Sequence, residues 1–136
     1  MCINKNHPEE AWISLILRIA MSLLFALASI GKFVGGIGNI VTHFQEMFKA
    51  TWLPSFLVTP YAYGIAFAEA LIAVWLLSGI KLRAAWVFTS IVLVSLAFGL
   101  LVAQQPTVEA IYTYIIICCV GIYVSKYDEC VIGGKK

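Results

Sequence analysis

Arg18 and Glu69 stand inside apolar runs long enough to cross a bilayer. Each costs roughly 2.5–3.5 kcal/mol at the centre of a membrane helix on insertion scales, so each asks for a compensating partner. Three chemistries suit such residues. They can pair with each other and fix the register of two helices. They can face a polar headgroup or pass a proton. Arg18 alone can also snorkel toward the interface.

Other chemistries find little support. The two histidines are His7, near the N-terminus, and His43, in a loop between apolar runs, so a haem held by two histidines between membrane helices is not available. No zinc-ligand spacing, phosphate-binding glycine loop or acyl-transfer triad is present, and no metal site is expected. His43 reads as an interfacial polar residue. Cys2 and Cys130 are expected in the cytoplasm, where thiols stay reduced. Cys118 and Cys119 are adjacent within one apolar run. Neighbouring helical residues point about 100° apart, so a disulfide between them would distort the helix, and they read as apolar filler. Any electron carrier is then a bound quinone or belongs to a partner.

The elements that position these residues follow from composition. The chain has 136 residues, 62% hydrophobic and 12% charged, with a mean hydropathy of +0.94. A soluble domain of this size needs more polar surface. This is an all-α integral membrane protein with a single domain. The net charge of +2 does not point to nucleic acid, because the charges lie at the ends of apolar runs.

Four runs approach the roughly 20 residues that a spanning helix needs: 11–30, 60–77, 82–103 and 108–124. Ser78-Gly79-Ile80-Lys81 and Gln104-Gln105-Pro106-Thr107 join the last three. Turns this short force antiparallel neighbours, which predicts an up-down-up-down bundle. The first connection, 31–59, is long enough to hold structure. Ile40, Val41, Phe44, Met47 and Phe48 recur at helical spacing and predict an amphipathic interfacial helix over 39–51. Ala26-Leu27-Ala28 has the form of a signal-peptidase site. The length of the first run, its internal Arg18 and the preceding Glu9-Glu10 argue against cleavage.

Lys5, Lys81, Arg83, Lys126, Lys135 and Lys136 share one side of this layout, and Lys32 and Lys49 the other. That bias predicts cytoplasmic termini in the cell membrane. Arg18 then lies about 10 Å from the cytoplasmic end of its helix, and Glu69 about 13 Å from either face, at 1.5 Å per residue. The levels differ by a few ångströms, which predicts an Arg18–Glu69 pair. Ser22, Ser29 and Lys32 share the Arg18 face, and Ala62, Ala66 and Ala73 that of Glu69. Small residues let helices approach closely in lipid.

Leu17-Arg18-Ile19, Phe25 and Gly31-Lys32-Phe33, followed by Leu53-Pro54, Gly64, Glu69, Leu76-Leu77, Gly79 and Arg83-Ala84-Ala85, form an ordered set over roughly residues 15–105. The set resembles DoxX-type membrane proteins. The resemblance implies a small four-helix protein tied to redox systems, with Arg18, Lys32, Glu69 and Arg83 as the functional set for ligand binding or proton relay. Relatives in the methylamine-utilisation branch carry cysteines near the third helix. This chain has none there, which counts against dithiol exchange.

Two functions from different classes remain. One is a membrane component of a quinone-linked oxidoreductase or respiratory system, with Arg18, Glu69 and Lys32 lining a polar pocket. The other is a non-catalytic anchor or assembly subunit, held by its charges and working beside a partner subunit or a second copy of itself. Whether the chain catalyses anything is open at this stage.

Overall fold

Pro8 at the first turn, where a missing N–H costs nothing, begins the first helix, and Glu9 and Glu10 favour its positive end. The computed structural model describes residues 7–128. Within them lie α1 (Pro8–Val34), α2 (Ile37–Phe48), α3 (Ser55–Ser78), α4 (Leu82–Val102) and α5 (Val108–Val124), followed by a 3-10 turn, Ser125–Tyr127. α1, α3, α4, and α5 together with the 3-10 turn that continues it, are each long and apolar enough to cross a membrane. The chain is a four-helix membrane bundle. Cys2, Lys5, Cys130, Lys135 and Lys136 lie outside the described residues.

Three helices differ from the sequence expectation by more than a residue. α1 runs from Pro8 to Val34 instead of 11–30. α3 begins at Ser55, not Pro60: extended Pro54 sets its start, and Pro60 stands inside the helix, where its missing N–H leaves the carbonyl four residues back without its helical donor. The Thr59 hydroxyl donates to the Ser55 carbonyl at 3.2 Å across this first turn. α2 occupies 37–48 instead of 39–51: Gly36, at φ 87°, bends the chain directly into it.

The bundle is a ring. α1 packs along α3, α3 meets α4, α4 packs along α5, and α5 returns to α1. α2 lies against α3, burying Val41 and Phe48. Phe48 reaches Gly99 on α4, where a Cβ would lie 3.3 Å from the ring. The α3–α4 turn depends on Gly79, whose φ of 72° is the left-handed helix stop that glycine adopts without a Cβ penalty.

Polarity is partly inverted. Ser14, Arg18, Ser22, Ser29, Glu69 and Thr89 are buried, while Ile16, Leu23, Leu27, Val74, Ile91 and Ile116 are exposed. In lipid, apolar side chains on the outside cost nothing, and close helix packing rewards small residues inside. Ala62, Ala66 and Ala73 are buried on the α3 face that also carries Glu69. Trp86 fills the space between α4 and α5, against Gly121. A Cβ at Gly121 would fall 2.6 Å from the indole, so only glycine fits without repacking.

Candidate functional site

The buried charges form two pairs, and neither is the pair that helix depth predicts. Arg18 Nη1 donates to Asp128 at 3.3 Å, where the chain leaves the turn after α5. Ser14 donates to the same carboxylate at 3.0 Å. Arg18 Nη2 donates to the Leu77 carbonyl at 2.9 Å, one of the last carbonyls of α3, which have no acceptor role left within the helix. The Arg18 and Asp128 side chains are 6% and 2% exposed.

Glu69 accepts a hydrogen bond from Lys32 in the last turn of α1. The Glu69 side chain is 6% exposed and that of Lys32 is 25% exposed. The expected Arg18–Glu69 pair is therefore replaced, for a reason rooted in helix geometry. Side chains on a helix lean toward its N-terminus. α1 and α3 run antiparallel, so Arg18 and Glu69 lean away from one another. Arg18 reaches Leu77, eight residues and about 12 Å beyond Glu69 at 1.5 Å per residue. Lys32, leaning back along α1, meets Glu69 instead. Between the pairs, buried Ser22 Oγ has no hydrogen-bond partner among the described residues.

Arg83 joins neither pair. It is exposed at the start of α4 and lines a surface groove with Lys81, Ala84, Val87, Phe88 and Ile91. The polar pocket expected from Arg18 and Glu69 together is thus divided between two levels of the bundle.

Two hollows adjoin the Lys32–Glu69 end. The first, about 520 Å³, is lined by Gly31, Lys32, Gly35, Asn39, His43 and Phe44, among others, between α1 and α2. The second, about 650 Å³, opens between α2, α3 and α4. Its walls are almost wholly apolar, with Phe48, Leu57, Tyr61, Val94 and Phe98 among them, and Ser95 adds the second hydroxyl. Tyr61 Oη and Ser95 Oγ lie 2.9 Å apart. Because the Ser95 hydroxyl donates to the Val92 carbonyl at 2.8 Å, Tyr61 is the donor between them. Glu69 lies two turns along the same helix. Phe44, in the wall of the first hollow, has its ring centroid 6.4 Å from that of Tyr61 in the wall of the second.

Tyr61, Ser95 and Asp128 are absent from the candidate set read in the sequence. Tyr61 looks there like one more interfacial aromatic, and Ser95 like one small residue in an apolar run. Asp128 carried a usable signal: an acid just past the last span, at the end of the bundle where Arg18 lies. Cys118 is buried and Cys119 exposed, and both are free. His7 contacts Glu10 at 3.2 Å. Among the described residues no three His, Cys, Asp or Glu side chains converge on one point.

The family model described as methylamine utilisation protein MauE matches residues 10–109. That range is most of the chain, and the chain belongs to this family. The match overturns the DoxX resemblance. An arginine early in the first helix, an acid in the second and a Gly turn followed by Arg are devices that any small bundle with a charged interior can use, so they do not separate one family from the other. No curated protein matches the chain, and no solved structure does.

Proposed function

With MauE-family membership as the premise, we propose that this chain is a membrane component of a redox-linked methylamine utilisation system. In this reading the cleft beside Tyr61 receives a membrane quinone. The cleft itself carries the reading. It is large enough for a ring, flanked by Phe48 and Phe98, and bounded by lipid-exposed Leu57, Ile91 and Val94. It offers one hydrogen-bond donor that can be redirected. A quinone headgroup is flat, apolar on its faces and accepts hydrogen bonds at its carbonyls, which fits such walls.

A bound quinone supplies two-electron, two-proton carrier chemistry. Around it the residues of this chain have separable tasks. Tyr61 turns its hydroxyl from Ser95 to a carbonyl oxygen. Ser95 stays committed to Val92. Phe48 and Phe98 exclude water from the ring. Glu69, held by Lys32, keeps a carboxylate near Tyr61, and Lys32 links it to the hollow at Asn39 and His43. Electrons come from a protein partner, a separate subunit in the same membrane. Both termini face the cytoplasm of a cell membrane in this arrangement, on the charge bias of the loops.

A second reading, a non-catalytic anchor or assembly subunit, is favoured by one observation. The Arg18–Asp128–Ser14 cluster ties the chain beyond α5 into the bundle, as a structural clasp would.

Thermal unfolding of the purified protein with short-chain quinone analogues separates the two. A ligand that binds only the folded state raises the melting temperature by mass action, by about 2.7 kcal/mol of stability at a hundredfold excess over Kd. Tyr61→Phe should lose the shift. Ser95→Ala should keep it, because it releases the Tyr61 donor. A flat response across several tail lengths, with the protein folded, sinks the quinone reading and leaves the anchor.

A further inference from the structure

The Lys81–Arg83 end of α4 takes part in neither ion pair, and the groove below it meets the Tyr61 cleft only at Ile91. The turn that presents it is clasped from within. Trp75 Nε1 donates to the Ile80 carbonyl at 2.8 Å. The Ser78 hydroxyl donates to the Trp75 carbonyl at 2.8 Å and accepts from the Ile80 N–H at 3.3 Å. The Trp75 ring packs on Phe88, with centroids 5.8 Å apart. Lys81 itself is held at φ 47°, a left-handed conformation that side chains other than glycine adopt only when their surroundings impose it.

The result is a fixed placement of two cations at the mouth of a groove of about 550 Å³. Below the mouth the groove continues over Ala84, Val87, Phe88 and Ile91, along one face of a membrane-spanning helix. Neither Lys81 nor Arg83 has a carboxylate at ion-pair distance among the described residues. Of the described acids at that end, Asp128 pairs with Arg18 and Glu10 contacts His7, while Glu9 stands exposed in the first turn of α1.

We propose that this groove binds an anionic phospholipid, its phosphate against Lys81 and Arg83 and one acyl chain along Val87 and Ile91. The vertical order argues for a lipid over other occupants. The cations stand where the helix begins, at headgroup level, and the apolar floor runs from there toward the bilayer centre. Basic pockets at the ends of membrane helices select anionic headgroups by the same complementarity. A soluble anion would use the mouth alone, and a protein partner would not require the charge and the acyl-wide floor in this sequence.

The test uses the purified full chain with phosphatidylcholine, and then with phosphatidylglycerol added, reading the melting temperature. Phosphatidylglycerol should raise it. The rise should be lost in the double variant Lys81→Gln/Arg83→Gln, and also in Val87→Trp, which fills the floor and leaves both cations. Lys126→Gln removes a cation from the same end and should keep the rise. If the double variant already melts lower in phosphatidylcholine, Val87→Trp carries the test alone. Loss of the rise in Lys126→Gln to the same degree would show a general surface-charge effect and overturn the site. So would its survival in Val87→Trp, or its reproduction by inorganic phosphate alone.

Discussion

Asp128→Asn removes the carboxylate facing Arg18 without changing its size. Breaking one partner out of a buried ion pair costs about 3–5 kcal/mol, since the remaining charge stays in low dielectric. Arg18 keeps its 2.9 Å bond to the Leu77 carbonyl, which offsets part of the loss, so about 3 kcal/mol is expected. Arg18→Met/Asp128→Asn should recover much of that, giving a coupling of about 2 kcal/mol, within the range that contacting residues show. Arg18→Met/Glu69→Gln should be additive within about 0.5 kcal/mol, as for residues without a shared partner. The assay is reversible unfolding in mixed detergent micelles, followed by circular dichroism, for each single and double variant. A coupling between Arg18 and Glu69 larger than that between Arg18 and Asp128 would refute the pairing and the side-chain-lean argument behind it.

The Lys32–Glu69 pair should respond asymmetrically. Lys32→Met strands a carboxylate that is 6% exposed, whereas Glu69→Gln leaves a lysine that is 25% exposed and can turn into the hollow beside His43. The first should therefore destabilise by about 3 kcal/mol and the second by about 1 kcal/mol in the same unfolding assay, and equal losses would contradict the exposure difference. For topology, tags at both termini should be reached only from the cytoplasmic side and a tag at Gly36 only from the other, by impermeant-reagent labelling. Labelling of the two termini from opposite sides would require a different number of spans.

How much could be read before folding varies by element, and the reasons are physical. Four spanning helices were legible because a bilayer imposes length and apolarity on each segment separately, and both are local properties of sequence. The buried faces were legible too: Arg18, Ser22 and Ser29, and the alanines around Glu69, share faces by helical periodicity alone. The start of α3 was not, since Pro60 reads as a helix boundary until Pro54 is seen to set the earlier turn. Which charge meets which was hidden further. Pairing depends on the lean of each side chain and on the relative height of two antiparallel helices, and depth counted along each run leaves out both. The turn past α5 that carries Asp128 to Arg18 is decided by where the ring of helices closes. The Tyr61–Ser95 cleft exists only because α2 stops short at Phe48, against Gly99, and leaves α3 and α4 uncovered beside it. Sequence by itself determined the class of protein and the faces it would bury. Tertiary structure decided the partners, because contacts between helices depend on heights and closures that no single segment contains.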